Sequence, residues 1–137
     1  MRKGLLIGLV LALTGAIAAV ATAAPTQQTP GVTARTVTVG GTFPLTGPAS
    51  LYGPIASAMK AYFSYVNARK GPDGKRGVFG RQIVFKVYDD GYNPANSVQL
   101  TRRLVEQDKV FAVVGSLGTE VNLAIRPYLN SKKVPHL

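Results

Sequence analysis

The chain has no cysteine, a single histidine, and 6 acidic residues against 16 Lys and Arg. With no cysteine there is no disulfide framework, so a folded chain must hold itself by a packed core. His136 has no Cys partner and only distant carboxylates, and reads as structural. Several chemical signatures are missing too. Gly115-Ser116-Leu117-Gly118 lacks the G-K-[ST] ending of a phosphate loop, and the first strand does not lead into G-x-G-x-x-G, so dinucleotide binding has little support. No G-x-S-x-G elbow occurs, which removes the main signal for an exported α/β hydrolase.

The shortage of acid leaves a net charge of +10; setting aside Arg2 and Lys3 leaves 14 basic against 6 acidic residues, or +8. Such a balance raises nucleic acid as a partner. The basic residues are spread out, however, apart from Arg69, Lys70, Lys75, Arg76 and Arg81 in one Gly-rich turn. No aromatics interleave with them as a stacking platform for single strands requires. The reading is a solvated basic face and no nucleic-acid function, with contact of that turn with an anionic membrane surface as a weaker possibility.

What is present starts with an address. Arg2 and Lys3 precede an apolar or small stretch from Gly4 to Ala24, and Ala21-Thr22-Ala23 supplies the small-x-small exit. This is the pattern of a secretory signal peptide over 1–23, cleaved after Ala23. The alternative is an uncleaved anchor, since the run is long enough to span a bilayer. Residues 24–35 are rich in Thr, Gln and Pro with no apolar period and read as a disordered leader.

From Thr36 the pattern becomes regular. Thr36–Phe43 predicts a strand, and Gly53–Ala68 a helix with Ile55, Met59, Tyr62/Phe63 and Val66 inward. Arg69–Arg81 is a turn, and Gln82–Tyr88 a second strand. Asn93 is set to cap a helix reaching about Gln107, with Pro94 in its first turn and Val98, Thr101 and Leu104/Val105 inward. Val110–Val114 predicts a parallel strand covered on both faces. A third helix spans about Glu120–Ser131 through Val121, Ala124/Ile125 and Tyr128/Leu129, with Pro127 expected to kink it. Val134–Leu137 begins a fourth strand, and the chain stopping there suggests a truncated piece of a longer one. The fold class is α/β: a doubly wound parallel sheet in a three-layer, Rossmann-like lobe over 36–137.

Four stretches, in this order and spacing, carry a resemblance: GTFPLTGPASLYG after the first strand, YVNARKG leading to GRQI, VYDDGYNPANSV, and VFAVVGSLGTE leading to KVP. Together they resemble the N-terminal part of the leucine/isoleucine/valine-type substrate-binding proteins of ABC importers. The resemblance implies two Rossmann-like lobes around a ligand, of which this chain holds the first half or more of one lobe. It implies capture of an amino acid or similar small carboxylate, ABC transporter membrane subunits as partners, no cofactor and no catalysed reaction. Many relatives in single-membrane bacteria carry a lipid on a Cys at the signal-peptide boundary; with no Cys, a free periplasmic protein fits better.

By position, the resemblance implies that Tyr52 lines the pocket and that Ser116, Leu117, Gly118 and Thr119 hold the ligand carboxylate, Thr119 through its hydroxyl. A loop entering a helix presents unpaired N–H groups and a positive dipole end to an anion, which agrees. Each residue has a blander reading beside this one. Thr119 could simply cap the third helix, and Tyr52 could be an edge residue packing on its own helix. Asp89 and Asp90 read as turn-capping carboxylates rather than a metal or acid–base pair. Two other function classes stand against solute capture: an exported hydrolase-like enzyme, and a sensory module of the same fold.

Overall fold

The computed structural model describes residues 28–137. The expected signal peptide lies outside the described residues, as does the expected leader up to residue 27. The elements run β1 (Thr36–Phe43), α1 (Pro54–Ala68), β2 (Gln82–Asp89), α2 (Pro94–Glu106), β3 (Ala112–Val113) and α3 (Thr119–Ser131), with a one-turn 3-10 helix at Ser50–Tyr52 before α1. The central strand is β1. It pairs in parallel with β2 from Thr36↔Gln82 to Phe43↔Asp89, and with β3 through Val39↔Ala112 and Gly40↔Val113. Val134–Leu137 runs alongside β3, with a parallel bridge between Val113 and His136. The Gly115 N–H donates to the Leu137 carbonyl at 2.9 Å. The chain is therefore α/β with a doubly wound parallel sheet, as the alternation of strands and helices predicts.

The strand period sorts the two faces. Phe43 points to the α1 side, where its ring meets Phe85 edge-on at 6.0 Å and Phe85 meets Phe63 of α1 at 5.1 Å. On the other side Leu104, Val110, Val113, Ile125 and Leu129 form the core with α2 and α3. Two consecutive glycines sit in the middle of β1 because both faces are crowded there. A Cβ on Gly40 would stand 2.5 Å from Leu104 Cδ2, and one on Gly41 would collide with the Val114 carbonyl oxygen.

Four differences from the sequence reading have physical causes. The leader is not disordered throughout. Thr33 and Thr36 share a hydroxyl contact of 2.8 Å, the Thr38 N–H donates to the Gly31 carbonyl, and Arg81 Nε donates to the Thr33 carbonyl at 2.9 Å. A turn at Thr33–Thr36 and bonds to β1 and to distant Arg81 order this stretch, and none of them needs an apolar period. Second, α1 turns Met59, Phe63 and Val66 inward as expected but buries Ala56 in place of Ile55, which is exposed. Asn67 ties the end of α1 to β2, exchanging two hydrogen bonds with the Ile83 backbone at 2.9 and 2.7 Å. Third, β3 is shorter than Val110–Val114. Lys109 and Gly115, at φ 53° and 72°, turn the chain at either side of it. Fourth, α3 starts one residue early, at Thr119, and runs through Pro127 to Ser131.

Candidate functional site at the carboxyl ends of the strands

The chain leaves β1 toward α1 on one face and leaves β3 toward α3 on the other. Ligands of doubly wound sheets bind in the crevice that opens between two such diverging loops. Three loops line this edge: Pro44–Gly53 after β1, Asp90–Asn93 after β2 and Val114–Gly118 after β3.

A single carboxylate ties the first two together. Asp89 Oδ1 accepts from the N–H groups of Leu45 (2.9 Å), Thr46 (3.2 Å) and Gly91 (3.0 Å), and Oδ2 accepts the Thr46 hydroxyl at 2.7 Å. The Thr46 hydroxyl bond is the main reason the Asp89 pKa is lowered, with the three backbone donors adding to it against a smaller opposing desolvation. Asp90 is buried and accepts the Ser97 hydroxyl at 2.8 Å and the Tyr92 N–H at 2.9 Å. Both carboxylates are thus engaged in turn and loop bonds, as expected. A folded-state pKa below the unfolded one means stability that is present above the unfolded value and lost as pH falls through the folded one. Melting temperature should therefore fall as pH drops below about 4, and Asp89→Asn should flatten that part of the profile. An unchanged slope in Asp89→Asn would assign the acid sensitivity elsewhere.

The third loop is built around unpaired donors. Among the described residues, no acceptor pairs with the backbone N–H groups of Ser116, Leu117, Gly118, Thr119, Glu120 or Val121. The Ser116 hydroxyl is buried and likewise without a partner among them. Asn122 holds the loop in shape: its Nδ2 donates to the Ser116 carbonyl at 3.0 Å and the Gly118 carbonyl at 2.7 Å. The N-cap of α3 is Gly118, at φ 107°, and it provides no side-chain cap. Thr119 is the first helical residue, so the capping reading of its hydroxyl fails. That hydroxyl is exposed and bonds to no described residue.

Tyr52 sits at the end of the 3-10 turn, more than half exposed. Tyr92, in the second loop, lies against the third. A Cβ on Gly118 would stand 2.6 Å from Tyr92 Cε2, so that ring lies directly against the α3 N-terminus. The Tyr92 hydroxyl donates to Glu120 Oε2 at 3.4 Å. Its pKa is raised first by the Glu120 charge, and the Tyr52 phenol adds a smaller push in the same direction. Tyr52 and Ser116–Thr119 both lie on loops at the carboxyl ends of the strands, and Tyr92 stands against the second of these. Next to it, a groove of about 450 Å³ is lined by Gly118, Thr119, Asn122, Leu123, Arg126 and His136. Burial, and then Arg126, lowers the His136 pKa.

Tyr92, Asn122 and Glu120 are the residues at this candidate site that sequence reasoning missed. Tyr92 left a signal, being a large aromatic in an Asp-Asp-Gly turn at a strand's carboxyl end; its φ is 60°, rare for such a side chain. Among the described residues no group of three or more His, Asp or Glu side chains gathers as a metal site would need.

With that geometry in view, comparison with known proteins is direct. The sequence profile of the family described as periplasmic binding protein matches residues 36–137. The chain belongs to the periplasmic binding protein family. Solved structures of similar fold include the branched-chain amino acid transporter substrate-binding protein LivJ of Streptococcus pneumoniae in complex with isoleucine, at 25% identity and a TM-score of 0.66, over 74% of this chain and 28% of that one. A possible leucine/isoleucine/valine-binding protein of Rhodopirellula baltica is similar at 25% identity and a TM-score of 0.65, over 81% of this chain and 28% of that one. A fatty acid ABC transporter substrate-binding protein of Thermomonospora curvata reaches 33% identity and a TM-score of 0.64, over 79% of this chain and 26% of that one. The chain thus spans little more than a quarter of the length of these proteins. No curated protein matches it. Among the described residues no helix is long and apolar enough to cross a membrane.

Proposed function

We propose that this chain contributes part of the N-terminal lobe of a two-lobed, exported solute-binding protein that delivers a small carboxylate, an amino acid foremost, to the membrane subunits of an ABC importer. Residues 1–23 serve as the signal peptide, and no reaction is catalysed. The observation that carries the reading is the run of unpaired N–H groups from Ser116 to Val121 at the mouth of α3. Such an array, at the positive end of a helix, suits a carboxylate. The Thr119 hydroxyl adds a donor and Tyr52 an aromatic wall. The names of the similar structures fit the same chemistry, because branched-chain amino acids and fatty acids share a carboxylate. Affinity then comes from enclosing that group away from water as the second lobe closes.

Thr119→Ala removes one hydrogen bond to a charged group, worth roughly 1.5–3 kcal/mol. Calorimetric titration of the two-lobed protein with isoleucine, leucine, valine and a medium-chain fatty acid, each beside its methyl ester, should show that loss for the acids. The esters should bind weakly throughout. Because Gly118 is the helix cap, the melting temperature should not move. Unchanged affinity in Thr119→Ala would remove Thr119 from the site.

A further inference from the structure

We propose that the Gly-rich hairpin between α1 and β2 docks on an anionic phospholipid surface, with Phe79 inserted among the headgroups. The hairpin closes on a two-residue turn: the Val78 N–H donates to the Arg81 carbonyl at 2.8 Å, and the Arg81 N–H returns to the Val78 carbonyl at 3.0 Å. Phe79 and Gly80 form the turn with φ 50° and 81°. Asn, Asp or Gly is the ordinary choice at such a position, and a bulky residue at positive φ is an outlier. Yet Phe79 is 72% exposed, with Val78 beside it at 39%. Folding gains little from Phe79 in this place, so the fold does not account for it.

The surroundings of that tip are cationic. Lys70, Lys75 and Arg76 are exposed around it, with Arg81 at its base, and Asp73 is the one acid between Arg69 and Arg81. The Asp73 carboxylate already accepts the Lys75 N–H at 3.1 Å. None of these cations forms an ion pair with a described carboxylate. Lys75 lies against Gly80, its Cδ 3.1 Å from where a Cβ would be, which sets a charge directly beside the apolar tip. An aromatic wedge ringed by Lys and Arg matches the boundary of an anionic bilayer, where the ring sits at headgroup level and the cations face phosphate. The two arms of the hairpin approach closely, since a Cβ on Gly77 would collide with the Arg81 carbonyl oxygen, and Lys70 bridges to Arg76.

The exposed aromatic at the tip favours a membrane over an acidic protein, which would need only the cations. Arg81 Nε bonds to the Thr33 carbonyl and the Gln82 N–H to the Arg35 carbonyl, fixing the base of the hairpin against the segment before β1. The hairpin stands at the amino ends of the strands, opposite the solute-site loops, so the inference is independent of which solute is bound.

The chain contains no Trp, so Phe79→Trp places a single reporter at the tip. In the full chain carrying Phe79→Trp, equimolar phosphatidylglycerol–phosphatidylcholine vesicles at low salt should shift the emission to the blue and shield it from an aqueous quencher. Pure phosphatidylcholine vesicles should do neither. Adding Lys75→Gln and Arg76→Gln should weaken partitioning about thirtyfold, near fivefold per charge, and high salt should abolish it. Circular dichroism matching the parent chain verifies folding, and Phe79→Ala in vesicle co-sedimentation should bind the anionic vesicles several-fold less. An emission shift equal on neutral vesicles, or none on anionic ones, overturns the proposal. A shift with soluble polyglutamate but not with vesicles overturns it in favour of an acidic protein partner.

Discussion

Leu104→Ala should cost about 2–5 kcal/mol of folding stability, enough to unfold most molecules of a domain with little to spare. Leu104 is fully buried and central to the cluster with Val110, Val113, Ile125 and Leu129. Its Cδ2 fills the space above Gly40, where the strand offers no side chain to move into the void. The sheet behind Gly40 is pinned on both sides by β2 and β3, so the cavity cannot collapse cheaply. Urea unfolding followed by circular dichroism measures the change, and Leu123→Ala, at an exposed position of α3, is the control expected to stay within about 0.5 kcal/mol. A loss at Leu104 no larger than the control would mean that the face between α2, α3 and the sheet is not the stabilising core.

Gly118→Ala should damage solute binding more than Thr119→Ala does. At φ 107° an alanine strains the backbone by about 1–3 kcal/mol. Its Cβ would also have to displace the Tyr92 ring, which lies 2.6 Å from that position. Moving Tyr92 breaks its bond to Glu120 and changes the wall beside the α3 N-terminus. Relieving the strain rotates the peptides whose N–H groups line the mouth. Both effects lower affinity, and a fall of tenfold or more in calorimetric titration of the two-lobed protein is expected. Near-parental affinity, with the melting temperature also unchanged, would show that the mouth does not depend on the shape of this loop.

Much of the architecture was legible because strand and helix periods are local. The β1 boundaries match the sequence pattern residue for residue, and Asn93 caps α2 as its side chain and the following Pro94 suggest, accepting the Ala95 N–H at 2.9 Å. The misses share a cause: each depends on a partner far along the chain. On α1, apolar spacing finds Met59, Phe63 and Val66 but points to Ile55 where Ala56 is buried, and the Asn67–Ile83 bonds that hold this helix to β2 leave no local trace. The Gly40–Gly41 pair reflects the approach of Leu104 and Val114. At the candidate site, Tyr52 and Ser116–Thr119 came from family resemblance. Tyr92 meets the α3 N-terminus through a tertiary contact that no local motif announces, as does the reach of Asp89 to Leu45 and Thr46. Thr119 shows the limit of propensity most clearly, since a favoured capping residue leaves that role to the glycine before it.

The Asp89 clamp bears on timing as well as shape. By holding Leu45, Thr46 and Gly91 through one side chain, it fixes two of the three loops at this edge with bonds made wholly within the protein. The entropy of ordering those loops is then spent during folding rather than at each encounter with a solute. A rim arranged in advance lets a small molecule enter without waiting for the rim to assemble, leaving the slower movement to whatever closes over it from the other side.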